Sequence, residues 1–375
     1  MTLDDVATPA LVLDRPRMLA NIARMRGRLA ELGVAFRPHV KTCKSPEVAR
    51  LMLDRPDGPI TVSTLKEAAQ FAAHGVTDIL YAVGIVPGKL DAVASLRARG
   101  CGVAVLLDSV AMARVLSDYC RERALAIPAL IEVDTDGHRS GVEPGDPALI
   151  EVAAALRDGA TLRGVMTHAG ASYDCRTEEE LAAMAEQERA GAVHAAARLR
   201  AAGHAAPVVS VGSTPTALSA RSLDGVTEVR AGVFVFFDLV MAGIGVCRQD
   251  DIALSVLASV IGHRADKGWV ITDAGWMAMS RDRGTAKQRV DQGYGVVLDV
   301  DGRPLPGLWM SDANQEHGIV SRRDGGAPDF ARLPIGSRLR ILPNHACATA
   351  AQHDAYRVVD GTRGVTATWP RFSGW

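Results

Sequence analysis

The sequence predicts an α/β protein in which a (β/α)8 barrel is followed by a C-terminal, mainly antiparallel β domain. Three observations carry this. Eight short apolar runs bounded by turn residues recur through about residue 240, with helical or loop stretches between them. Parallel βα units have this pattern, and eight of them suggest a closed barrel. After about residue 250 the rhythm changes to strand-like runs separated by Gly-, Asp- and Pro-containing turns, with few helical periods. The length of 375 residues also exceeds the roughly 250–300 at which a single core stops growing. The expected division is a barrel over 15–245 and a β domain over 246–375, with residues 1–14 free to pair with the latter.

In chain order, Met18, Ile22, Met25, Leu29 and Leu32 fall at helical spacing, with Pro16 near the start and Gly33 just past the end. An extended run follows at 34–40. The segments 60–63, 79–83, 103–107, 129–133, 162–167, 208–211 and 226–230 read as buried strands, separated by alanine-rich helices such as 65–74, 110–123 and 178–202. In the second half, 252–262, 269–273, 295–300, 339–342 and 356–359 read as strands.

Composition narrows the function. A formal net charge of −1 lacks the basic footprint of nucleic-acid binding. No apolar run approaches the roughly 18–20 residues of a membrane span, and MTLDDVATPA carries acids where a secretory signal is basic. A cytoplasmic protein with six reduced cysteines is therefore expected. Dinucleotide, P-loop, zincin and serine-hydrolase motifs are all missing.

A parallel barrel places its chemistry at the C-terminal ends of its strands. Arg37-Pro38-His39-Val40-Lys41 follows the first run, and Glu132 through Gly141, with Arg139, follows the fifth. Thr167-His168 with Tyr173 follows the sixth, Gly212-Ser213-Thr214 the seventh and Gly232-Val233 the eighth. The small-residue turn Gly212-Ser213-Thr214 suits a phosphate dianion; it is equally an ordinary turn with Thr214 capping a helix before Pro215. Lysine is scarce, and Lys41 at a strand end should point, desolvated, into the barrel mouth, a candidate imine former; otherwise it is a solvated rim lysine. Lysine plus phosphate site together suggest pyridoxal phosphate (PLP). Far downstream, His345 and Cys347 stand at i and i+2, on one side of an extended strand, and suit zinc or a similar divalent ion. The plainer reading is a satisfied histidine beside a buried thiol.

The segments RPHVKTCKSPEVA, ITVSTLKEA, DTDGHRSGV, THAGASYD, VGSTPT, EVRAGVFVFFD and PNHACAT, with DAGWMAMSRDRGT and NQEHG, span nearly the whole chain. In this order they resemble the fold-type III, alanine-racemase-like PLP enzymes of the D-serine dehydratase and D-threonine aldolase branch. The resemblance implies that Lys41 carries PLP and acts as the Cα base, and that Tyr173 contacts the pyridine nitrogen. It implies that Thr214, Gly232 and Val233, with Gly212 and Ser213, surround the phosphate, and that Arg139 lies near the ring oxygen. His345 and Cys347 match metal ligands for one divalent ion: zinc on ligand chemistry, manganese, cobalt or magnesium on the habits of the branch.

The implied activity is dehydration of a D-3-hydroxy amino acid, D-threo-3-hydroxyaspartate being the expected substrate, to oxaloacetate and ammonia by a homodimer. D-threonine aldolases carry aspartate where Cys347 stands, so the cysteine favours a dehydratase. The competing readings are aldol cleavage to glycine and an aldehyde, D-serine dehydration, racemisation, and a non-catalytic PLP-binding protein; the last lacks a β domain and an H-x-C pair.

Overall fold

The computed structural model describes residues 1–375. The chain divides into two compact units, one made of Arg24–Gly232 with the last two residues, the other of Met1–Ala23 with Val233–Ser373. No helix is long and apolar enough to cross a membrane.

After β1 (Ala10–Asp14), the first unit is built on eight parallel strands: β2 (Ala35–Phe36), β3 (Ile60–Val62), β4 (Asp78–Gly84), β5 (Gly102–Leu107), β6 (Ile127–Val133), β7 (Ala160–Thr167), β8 (Val208–Val211) and β9 (Glu228–Val229). Their order is β2-β9-β8-β7-β6-β5-β4-β3. A parallel bridge between His39 and Thr61 joins the two ends, with Val40 N–H donating to Thr61 O and Thr61 N–H to Pro38 O, both at 2.9 Å. The eight expected strands are therefore present and form a TIM-like barrel. Leu80, Leu106, Leu130 and Met166 make one apolar layer across β4–β7, which is why these runs read as continuously hydrophobic. Helix Val110–Arg123 has the predicted bounds, starting where Ser109 accepts the Met112 N–H. In helix Arg15–Glu31 the buried residues Met18, Ile22, Met25 and Leu29 keep the predicted spacing, and Gly33 ends it at φ +65°.

The second unit contains β1 and β10 (Leu254–Arg264), β11 (Trp269–Thr272), β12 (Gly295–Asp299), β13 (Pro304–Ala313), β14 (Gly318–Arg322), β15 (Arg338–Leu342), β16 (Ala355–Val359) and β17 (Val365–Pro370). The ladder β10-β11-β14-β13-β12-β15 returns to β10, closing six antiparallel strands. From β10 the sheet continues through β1, β16 and β17, with β1–β16 a parallel pair. Leu3, Val6, Ala10 and Val12 pack there against Leu257, Val300 and Val359. Strands β13, β14 and β17 were not predicted. β13 holds two prolines and a glycine, and β13 and β17 are largely exposed or half-buried, so none makes a continuous apolar run.

Candidate active site

The barrel mouth assembles most of the expected residues. Regular pairing ends at the His39 bridge, so Lys41 stands in the following turn and is exposed rather than desolvated. Two imidazoles face its charge. Burial, then the positive charges of Lys41 and Arg230, hold His39 well below the ordinary imidazole range. The same causes, with Arg139 added, push His168 down to about 3. His168 Nδ1 lies 3.0 Å from the Gly212 carbonyl, which only accepts, so the proton is on Nδ1 and Nε2 keeps its lone pair. The Tyr173 ring, on the turn Gly170–Asp174, stands tilted beside His168 with centroids 6.4 Å apart. Arg139 donates to Glu132 at 3.1 Å. Three cations thus converge on two neutral imidazoles, a setting that favours an anionic ligand.

The turn after β8 departs from its expected geometry. Ser213, not Thr214, caps helix Thr214–Ser219, because Ser213 and Thr216 exchange backbone and hydroxyl hydrogen bonds in a capping box. Buried Glu188 accepts the N–H groups of Gly212 (3.1 Å) and Ala169 (2.9 Å), and burial raises its pKa. Gly212 and Ser213 therefore shape the turn but spend their N–H groups internally. The N–H groups of Gly232 and Val233 donate to no backbone carbonyl, and with Thr214 they stand where the sequence reading expects a phosphate. Gly212 sits at φ +133°, and a Cβ there would run into the Arg230 carbonyl. At Gly232 a Cβ would come 2.8 Å from His39 O. These two glycines allow the close backbone approach that a cradle needs.

Beneath the mouth runs a buried charge chain that the sequence reading missed. Arg37 pairs with Asp78 and with Glu228, each at 2.8 Å; Ser210 donates to Glu228 at 2.7 Å; Arg230 donates to Ser210 at 2.9 Å and to the Thr167 carbonyl. Burial lowers Arg230 to about 10, against the nearby carboxylates, so it stays charged at neutral pH. The available signal was charged residues at strand positions otherwise filled by apolar side chains.

His345 and Cys347 lie in the second unit. β15 ends at Leu342 and Pro343 follows, so the pair is not on a strand as expected. His345 is extended and caps the short helix Ala346–Ala350, which contains Cys347. The chain turns there because buried Asp238 accepts the Ala346 N–H at 2.9 Å. The two side chains still meet, hydrogen-bonding one another. His345 Nδ1 is 2.6 Å from Asp282 Oδ2. Burial works to lower the His345 pKa, but the Cys347 sulfur and the Asp282 and Asp238 carboxylates outweigh it and push it up to about 11. Such an anionic sulfur–nitrogen pocket suits a divalent cation in place of that proton. No three His, Cys, Asp and Glu side chains are arranged to hold a metal, so the protein would supply two ligands and leave the others to water or substrate. Asp282 and Asp238, which sequence reasoning did not single out, frame the pair. All six cysteines are free.

Comparison with known proteins gives the following. Residues 13–240 match the family described as alanine racemase, N-terminal domain, and residues 253–359 match a serine dehydratase domain. The chain is 59% identical to the D-threo-3-hydroxyaspartate dehydratase of Delftia sp. (strain HT23), over 100% of this chain and 99% of that one. The solved structure of that enzyme superposes with a TM-score of 0.96 at 58% identity, covering 100% of both chains. A cysteine-to-alanine mutant of D-threo-3-hydroxyaspartate dehydratase, solved in a metal-free form, gives 0.97 at 57% identity, again covering 100% of both. The chain is also 31% identical to the D-threonine aldolase of Arthrobacter sp, over 94% of this chain and 89% of that one.

Proposed function

The chain belongs to the PLP-dependent lyases that join an alanine racemase N-terminal domain to a serine dehydratase domain, and from that premise we propose that it dehydrates D-threo-3-hydroxyaspartate to oxaloacetate and ammonia with the help of one divalent metal ion. The observation that carries the metal-assisted reading is the contact between His345 and Cys347, framed by carboxylates.

The cationic mouth and glycine-lined turns fit PLP: Lys41 would bear it, Tyr173 would face its ring nitrogen, Arg139 its ring oxygen, and Thr214, Gly232 and Val233 its phosphate. When bound, PLP supplies an electron sink for charge developing at the substrate Cα. Lys41, whose amine would hold the cofactor, would once free of it also take the substrate Cα proton. His39 and His168 stay neutral, so they neither repel the Lys41 ammonium nor protonate the developing carbanion. Arg139, held by Glu132, presents a fixed cation on the same rim. His345 and Cys347 would hold the metal, whose Lewis acidity eases departure of the β-hydroxyl, otherwise a poor leaving group. The enamine product tautomerises and hydrolyses to oxaloacetate and ammonia. The metal-free cysteine mutant of the related dehydratase is consistent with this ligand set. The same reading takes the protein as a cytoplasmic homodimer, which sedimentation of the purified protein checks for its oligomeric part.

Product analysis tests the proposal. Protein supplied with PLP and a divalent metal is given D-threo-3-hydroxyaspartate, D-serine and D-threonine in parallel. Oxaloacetate with ammonia, formed fastest from the first, is the expected result. Glycine with an aldehyde product would make the protein an aldolase and overturn the reading.

A further inference from the structure

Three carboxylates lie in this part of the second unit, and they do different work. Asp238 is fully buried and has both oxygens committed to backbone, Oδ1 to the Met241 N–H and Oδ2 to the Ala346 N–H, each at 2.9 Å. It shapes the loop that carries His345 without touching the imidazole. Asp291 pairs with Arg283 at 2.8 Å. Asp282 alone places an oxygen on the His345 ring, Oδ2 lying 2.6 Å from Nδ1.

That contact is built into the surrounding chain. Ser280, at φ +73°, turns the backbone after helix Trp276–Met279, and its hydroxyl accepts the Asp282 N–H at 3.2 Å. Buried Asn344, the residue before His345, donates to the Asp282 carbonyl at 3.4 Å and to the Gly293 carbonyl at 2.6 Å, while accepting from Thr285 at 2.7 Å. The segments carrying Asp282 and His345 are thus tied together on both sides of the contact.

We propose that Asp282 is the positioning residue of the metal site: by accepting the Nδ1 proton of His345 it fixes the tautomer and the ring plane, so that Nε2 is the nitrogen offered to the ion beside Cys347. The inference rests on the reading of His345 and Cys347 as metal ligands. A carboxylate behind a ligating imidazole orients it and makes it a better donor, and losing such a partner typically weakens metal binding by about 10- to 100-fold.

The test is calorimetric titration of chelated, refolding-free full-length protein with Zn²⁺ or Co²⁺ alone, for wild type, D282A and D282N. D282A is expected to bind about 10- to 100-fold more weakly, with the melting temperature of the metal-free protein unchanged. D282N, whose amide oxygen can still accept from Nδ1 but carries no charge, should show a smaller loss. At saturating Co²⁺ the thiolate-to-cobalt absorption should persist in both variants, because Cys347 is untouched. Wild-type affinity in D282A overturns the proposal; should D282A not fold, wild-type affinity in D282N does so. A wild-type protein that binds neither ion would instead refute the metal assignment of His345 and Cys347, an outcome distinct from failure of the Asp282 role.

Discussion

Individual side chains decide which amino acid the site accepts. A substrate with a second carboxylate on the carbon bearing the hydroxyl needs a cation close to whatever holds that hydroxyl, and Arg139, Arg281 and Arg283 are the candidates. Arg139 is paired with Glu132 and Arg283 with Asp291. Arg281 makes no ion pair; its guanidinium lies over the Trp276 ring at 4.5 Å, next in sequence to Asp282. An arginine preorganised by stacking keeps its forked donors for a carboxylate. R281A is therefore expected to raise KM for D-threo-3-hydroxyaspartate by at least about tenfold, the scale of one charge-assisted hydrogen bond, while leaving KM for D-serine nearly unchanged. Equal effects on both substrates would remove Arg281 from side-chain recognition. The candidate residues were legible in the sequence: Lys41, the Gly212-Ser213-Thr214 turn, His345 and Cys347 by chemistry and place, Tyr173 by the family resemblance. The carboxylates around them were not, because Glu188 and Asp238 hold the backbone of the neighbouring turns and Asp282 meets His345 only when distant segments come together.

Elements were legible where burial is two-sided. The barrel strands read as continuous apolar runs and were found in number, while half-exposed β13 and β17 lacked that signal. The H-x-C pair shows the opposite failure. Alternation suggested a strand, yet Pro343 and the Asp238 cap convert the segment to a turn and a helix. The Arg37–Glu228–Ser210–Arg230 chain lies across β8 and β9 and beside β2 and carries a stability prediction. Glu228 is 9% exposed and answers Arg37 directly. Breaking a buried pair costs up to about 3–5 kcal/mol; without Glu228, Arg37 keeps only the half-exposed Asp78 and the Ser210 hydroxyl loses its acceptor. E228L should therefore lower the denaturant midpoint sharply. D266A, which breaks the exposed Arg264–Asp266 pair, should leave it almost unmoved. Comparable midpoints for the two variants would contradict the assignment.

At the scale of the whole molecule, the change of rhythm after residue 250 and the excess length announced two bodies; the two compact units divide at other points, Arg24–Gly232 against Met1–Ala23 with Val233–Ser373. The expected freedom of residues 1–14 to pair with the β domain is realised by β1, which lies between β10 and β16 in pairings made across more than 240 residues of sequence; periodicity could not give those partners or their register. The residues proposed for PLP and for the metal divide between the same two units. Lys41, His39, His168, Arg139 and Tyr173 belong to the barrel unit, and His345, Cys347, Asp282 and Asp238 to the β unit. A PLP reaction that uses both should fail in a particular way when only the second is disabled. The most direct test is turnover of D-threo-3-hydroxyaspartate by chelated protein before and after metal is restored, for wild type and C347A. The account predicts that chelation leaves the cofactor's absorbance in place and abolishes oxaloacetate formation, and that added metal restores turnover in wild type but not in C347A. Full turnover by the chelated enzyme, or by C347A, would contradict it.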